Sequence, residues 1–193
     1  MSAARETLLD KAIAHVGANG LSDMSLRELA AAVGTSHRML IYHFGSREGL
    51  VAAIVARIEA QQRTALETLA GDATSPTELM RNQWEQLSDP RLRPFVLLFF
   101  EVLALALHER PGTEGFLDQL TTPWLDVASD ISKRLDIEAT TDELRLGVAV
   151  VRGLLIEVLS TADVEGPTSS LNRFLEMWDH SRASQVATHA HPE

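Results

Sequence analysis

Residues 25–50 read SLRELAAAVGTSHRMLIYHFGSREGL, and this stretch predicts two short helices, a tight turn between them and a third helix at once behind. Ser25 and Glu28 have the S-x-x-E spacing of a capping box, which satisfies free amides at a helix start. Leu26, Leu29, Ala30 and Val33 recur at helical spacing and make one buried face. Gly34 supplies the left-handed backbone that ends this helix, and Thr35 or Ser36 caps the next. The second helix runs about two turns to Phe44, with Ser36, His37, Arg38, Tyr42 and His43 expected on its outer side. A short helix behind a glycine turn, carrying hydrogen-bond donors outward, has the geometry that enters a DNA major groove.

These residues resemble the DNA-binding domain of TetR-family transcriptional regulators. That pattern runs from a capped helix through A-x-x-x-G-x-S to an L-Y-x-H-F-like end and a following S-[KR]-E-x-L. Its counterparts are Ala30 to Gly34, Ser36, Leu40-Ile41-Tyr42-His43-Phe44 and Ser46-Arg47-Glu48-Gly49-Leu50. One departure is Ile41, where the family usually has a phosphate-contacting Tyr. It shifts backbone contact toward Tyr42, His43 and Arg47.

The chain has 193 residues, no cysteine and a formal net charge of -10. It has no disulfide framework or thiolate chemistry, which suits a reducing cytoplasm. The start, MSAARETLLDKAI, lacks a secretory pattern. The most apolar stretch, Pro94 to Leu107, is broken by Glu101 and is shorter than the ~20 residues needed to span a bilayer. A cytoplasmic protein is expected. Residues 1–50 are neutral, with five basic and five acidic side chains, so the whole excess of acid lies beyond them. Few cations facing phosphate imply a modest salt dependence and weak non-specific binding. That argues against a general nucleic-acid coat, not against a sequence-specific reader.

Apolar periodicity elsewhere is helical. Arg5 to Asn19 forms a first helix, and a long one opens at Ser46 and closes near Gly71. Ser75-Pro76-Thr77-Glu78 starts another with a capping box. Asp89-Pro90 or Arg93-Pro94 opens the next. Glu114 to Arg134 is helical, with Pro123 a break or kink. Thr140 to Glu143 is a further box, leading through Ser160. Glu165-Gly166-Pro167 breaks the chain before a final helix from Ser169 to Ala183. The expected fold is all-α, with about nine helices and no sheet. Residues 1–50 form a helix-turn-helix domain, residues 51–183 a helical effector-binding and dimerisation domain, and residues 184–193 a disordered tail.

Candidate DNA contacts follow from position. His37 and Arg38 stand just past the cap, where a recognition helix meets base edges, and Arg38 suits guanine O6 and N7. Tyr42 and His43 suit phosphate oxygens, although both are also placed to pack. Ser46 and Arg47 open the long helix, where free amides, the dipole and a cation converge on an anion; Ser46 is equally a plain cap. Ser25, Thr35, Ser36 and Arg27 complete the set, with an ion pair to Glu28 or Asp23 as the alternative for Arg27.

Beyond Leu50 no catalytic signature occurs, so neither an enzyme nor a cofactor is expected. His189 and His191 form an H-x-H without packing to fix its geometry, and no metal site is expected. The middle helices carry large apolar groups. The resemblance implies that such helices enclose an apolar effector, which makes Met80, Gln83, Trp84, Phe95, Phe99, Leu103, Phe116 and Trp124 candidate lining residues; a filled core is the plain reading of the same residues. Gln83, Glu101 and Asn82 are polar groups near that stripe. Val148, Val151, Arg152, Leu155, Leu159, Phe174 and Trp178, on the last two helices, make more apolar face than one surface stripe needs. They form either a dimer interface, as the resemblance also implies, or part of a monomer core. A homodimer would set two recognition helices ~34–36 Å apart on a palindromic double-stranded operator. The expectation is a repressor released by a small, largely apolar effector. A ligand-independent architectural DNA binder, or an all-helical enzyme or lipid carrier, are the alternatives.

Overall fold

In the computed structural model of the chain, residues 3–20 and 24–189 are described, with side chains as far as Arg182. Among them are nine α-helices and no strand. They are α1 (Ala3–Asn19), α2 (Leu26–Ala32), α3 (His37–Phe44), α4 (Arg47–Asp72), α5 (Pro76–Leu87), α6 (Arg93–Leu107), α7 (Thr122–Arg134), α8 (Thr141–Thr161) and α9 (Glu165–His189). A single 3₁₀ turn, Leu117–Gln119, lies between α6 and α7. No described helix is long and apolar enough to cross a membrane.

The caps explain most of the boundaries. Ser25 accepts from the Glu28 amide while the Glu28 carboxylate accepts from the Ser25 amide, and Thr140 and Glu143 repeat the arrangement. At α5 the Ser75 hydroxyl accepts from the Glu78 amide, but the Glu78 carboxylate passes over Ser75 to the amide and hydroxyl of Thr74. Gly34 and Gly45, at φ +72° and +78°, turn the chain at either end of α3, a backbone that a β-carbon disfavours.

Two expectations at the C-terminal end are corrected. Pro167 does not separate α9 from what precedes; α9 starts at Glu165 and holds Pro167 in its first turn, where a missing N–H costs no helical bond. The Asp163 carboxylate accepts from the amides of Glu165 and Gly166 and supplies the cap. Residues 184–189, expected to be disordered, continue α9. His191 and the rest of the tail lie outside the described residues, as does Asp23.

The chain divides into two compact units, residues 1–65 with 89–126, and residues 66–88 with 127–193. The first unit takes in α6 as well as the helices of residues 1–50. One apolar cluster joins Leu9, Ala12 and Val16 of α1, Leu26, Leu29 and Ala30 of α2, and Leu40 and Phe44 of α3. It continues through Leu50, Val51, Ile54 and Val55 of α4 to Leu98, Phe99, Val102 and Ala106 of α6 and on to Phe116. Buried apolar area of this kind is the main favourable term in folding, so α6 is part of the same folding unit as α1–α3.

The second unit is built on α5, α8 and α9. Leu79 and Trp84 of α5 and Leu171 and Leu175 of α9 are buried. The Trp84 indole N–H donates to the Thr168 hydroxyl at 2.7 Å, and Arg81 donates to Asn172 at 2.9 Å. Gly147 of α8 lies so near Met80 and Trp178 that an added β-carbon would be 3.5 Å and 3.9 Å from them.

Phe99→Ala should lower stability by about 3–5 kcal/mol. Because the cluster is shared, hydrogen exchange should accelerate at α2 and α3 amides as well as in α6.

Candidate nucleic-acid interface

The candidate recognition element is α3, capped by the Ser36 hydroxyl, which accepts from the Met39 amide at 3.2 Å. Leu40 and Phe44, one turn apart, are its buried side. His37, Arg38, Met39, Ile41 and Tyr42 are exposed, Tyr42 at 78 % against 40 % for Met39 and 38 % for Ile41. Across the Gly34 turn, Ser25 and Arg27 are exposed at the start of α2, while Thr35 is half-buried in the turn itself. The structure thus brings Ser25, Arg27, Ser36, His37, Arg38 and Tyr42 to the surface of one helix-turn-helix.

Other expected contacts, His43, Ser46 and Arg47, are half-buried. His43 is half-buried: its ring meets Tyr42 and Phe44 edge-on, and its Nε2 is buried with no hydrogen-bond partner among the described residues. Its backbone carbonyl accepts from Arg5 Nε at 3.3 Å, while the Arg5 guanidinium lies 4.8 Å from the Phe44 ring centroid. Arg47 pairs with Glu101 of α6 at 3.0 Å and donates through Nε to the Met24 carbonyl at 3.3 Å. Glu101, read from sequence as a polar group near an effector, is thereby an ion-pair partner at the head of α4. Ser46 acts as the cap of α4, its hydroxyl accepting from the Gly49 amide at 3.0 Å. A β-carbon on Gly112 would stand 2.8 Å from both the Ser46 hydroxyl and the Gly49 nitrogen, so the loop after α6 lies against this helix start. The anion there is the chain's own. Glu48 is held below the usual carboxylate range first by its own backbone N–H, and also by Ser46, Arg47 and Arg110.

Sequence reading missed the charges that fix α1. Arg57 of α4 pairs with Glu6 and, at 2.9 Å, with Asp10. The partners are 51 and 47 residues apart in the chain, beyond the reach of any local pattern. Of the five cations in residues 1–50, Arg5 and Arg47 are thus tied to protein groups, and Lys11, Arg27 and Arg38 are exposed.

Residues 8–54 match the family described as bacterial regulatory proteins, tetR family. The N-terminal segment thus carries the sequence pattern of that family's regulators. Its match begins in α1, takes in the whole α2–α3 pair and ends at Ile54 of α4. Among curated protein sequences none matches this chain. Solved structures extend the likeness to nearly all of it, as fold. A TetR-family transcriptional regulator from Pectobacterium atrosepticum is 19 % identical, with 92 % of this chain and 95 % of that one covered at a TM-score of 0.66. A protein described as a transcriptional regulator from Saccharomonospora viridis, solved with choline, is 21 % identical over 91 % and 97 % at 0.70. Thermus thermophilus FadR, a TetR-family repressor solved with lauroyl-CoA, is 18 % identical over 90 % and 92 % at 0.63.

The candidate effector residues of this TetR-like chain do not fall in one unit. Phe95, Phe99, Leu103, Phe116 and Trp124 belong to the first, and Met80, Gln83 and Trp84 to the second. Phe99 and Phe116 are buried in the cluster that also holds α1–α3, with Phe95 and Leu103 half-buried against it. The Trp124 N–H donates to Glu59 at 2.7 Å, with Arg63 above its ring at 5.8 Å. On α8 and α9, Leu155 is buried and Val148, Val151, Arg152, Leu159, Phe174 and Trp178 are half-buried. The strongly exposed apolar side chains of these helices are others: Leu146 at 54 %, Ile156 at 52 % and Met177 at 59 %.

The caps make the fold sensitive to acid. Glu28 is held below the usual range by the Ser25 hydroxyl and then the Ser25 amide, so its charged form is favoured in the folded state. That stability is complete above the unfolded value of 4.5 and is lost as pH falls through the lower folded value. Glu28→Gln should flatten the dependence of the urea midpoint on pH below 4.5. Asp89, lowered from 3.8 to about 2 by the Arg91 fork, contributes loss further down, between those two values.

Proposed function

We propose that this chain is a non-enzymatic, cytoplasmic transcriptional regulator that binds a palindromic operator as a homodimer and is a repressor released by a small, largely apolar effector. The observation that carries the reading is the outer side of α3, where His37, Arg38 and Tyr42 are exposed together above a capped, well-packed helix. Base recognition falls to His37 and Arg38 and phosphate contact to Arg27, Ser25, Ser36, Thr35 and Tyr42. His43, Ser46 and Arg47 remain phosphate candidates at the rim. One eight-residue helix offers too few contacts alone, so a two-fold pair is needed.

The dimer surface we assign is the outward stripe of α8 and its neighbour on α9. Leu146, Ala149, Gly153 and Ile156 are exposed at helical spacing, and Met177 is exposed on α9. They extend the Val148, Val151, Arg152, Leu155, Leu159, Phe174 and Trp178 group outward. Exposed apolar patches of this kind commonly mark association surfaces.

Release would work through α6. An effector that displaces Phe95 or Leu103 also moves Phe99 and Glu101, and with them the Arg47 anchor at the head of α4. The ligand must bind the DNA-free and DNA-bound states unequally for this to shift the balance. Choline and lauroyl-CoA, held by proteins of similar fold, support an effector with apolar parts and define a first panel for thermal-shift measurement.

In titrations against a selected palindrome, Arg38→Ala should lose ~1–3 kcal/mol of discrimination at one base position per half-site. Arg27→Ala should instead weaken all sequences alike and reduce the salt slope; equal behaviour of the two would overturn this division. Leu146→Glu combined with Ile156→Glu should yield a folded monomer by sedimentation, with operator affinity lost.

A further inference from the structure

The outward surface of α3 contains an apolar group that neither phosphate contact nor hydrogen bonding explains. Ile41 is 38 % exposed, on a helix whose packing requirement is already met by Leu40 and Phe44. It stands three residues after Arg38 and four after His37, the spacings that place side chains side by side on a helix. Tyr42 follows it directly, so an aliphatic side chain is bracketed by three hydrogen-bonding ones, all exposed. Phosphate oxygens offer nothing to a sec-butyl group. Among the edges that base pairs present in a major groove, the apolar one is the C5-methyl of thymine.

We propose that Ile41 is a specificity-determining residue that packs against a thymine methyl group beside the base pair read by Arg38. The inference rests on the DNA-binding reading above and adds to it a base identity. Side chains three apart on a helix are separated by ~5–6 Å at their β-carbons, against ~3.4 Å between successive bases on a strand. The thymine therefore lies one or two base pairs from the guanine contacted by Arg38. Selectivity comes from area. The methyl and the side chain leave water together, whereas a cytosine edge presents its N4 amino donor, which Ile41 cannot pair.

The test uses the full chain and a palindrome selected from random DNA, with each thymine replaced in turn by uracil in both half-sites. Uracil keeps the O4 acceptor and loses only the methyl. At one position near the Arg38-dependent base pair, uracil should weaken the wild-type protein by about fourfold per methyl removed. Ile41→Ala should bind thymine and uracil operators equally, and should match the wild type on the uracil operator. Ile41→Val, which keeps part of the aliphatic surface, should retain part of the discrimination. Absence of any thymine-sensitive position, or sensitivity that persists unchanged in Ile41→Ala, overturns the assignment while Arg38→Ala still reports base selectivity. If no palindrome is enriched and Arg38→Ala and Arg27→Ala are both without effect, the DNA-binding reading fails as well.

Discussion

The first half of α4 is the constraint on which the helix-turn-helix depends. Leu50, Val51, Ile54 and Val55 are buried in one cluster with α1, α2, α3 and α6. Each such side chain contributes ~1.5–3 kcal/mol on burial, whereas exposed ion pairs contribute ~0–1 kcal/mol. Packing therefore sets where α3 stands. The ion pairs of Arg57 with Glu6 and Asp10, and of Arg47 with Glu101, refine register and orientation. The consequence is mechanical: α6 cannot shift its buried side without disturbing the core behind the recognition helix.

That economy also shapes the electrostatics. Residues 1–50 are neutral by count, and the structure spends Arg5 on Phe44 and the His43 carbonyl, and Arg47 on Glu101 and the Met24 carbonyl. The start of α4, a natural anion site by dipole and free amides, is served by Glu48 and approached by Gly112. A surface so sparing of cations suits a reader that relies on a few placed groups more than on a diffuse field. The proposed role of Ile41 follows the same logic, since an aliphatic contact would add discrimination without adding charge.

In the rest of the chain, apolar residues at helical spacing serve several ends that look alike in sequence. Phe99 and Phe116 are core beneath the DNA-binding helices, Trp84 is core among α5 and α9, and Trp124 is anchored on Glu59. On α8 the inward residues pack within the chain, while Leu146 and Ile156 remain outside. What each of these residues meets depends on neighbours that the periodicity of one helix does not specify.

The sequence by itself determined the helical class, the capped α2–turn–α3 arrangement and the outward placing of Ser36, His37, Arg38 and Tyr42, because caps, glycine turns and 3.6-residue periodicity act within a few positions of one another. Its limits are visible in particular residues. Arg47 and Glu101 are 54 positions apart, and nothing local shows that the cation faces a carboxylate as well as solvent. His43 reads as an outward residue of α3, yet it is half-buried with its Nε2 enclosed. The expected division at residue 50 carries no sign that the apolar face of α6 joins the core of the first three helices. These were decisions of tertiary structure alone, since burial and long-range ion pairing depend on which faces meet after the helices have formed.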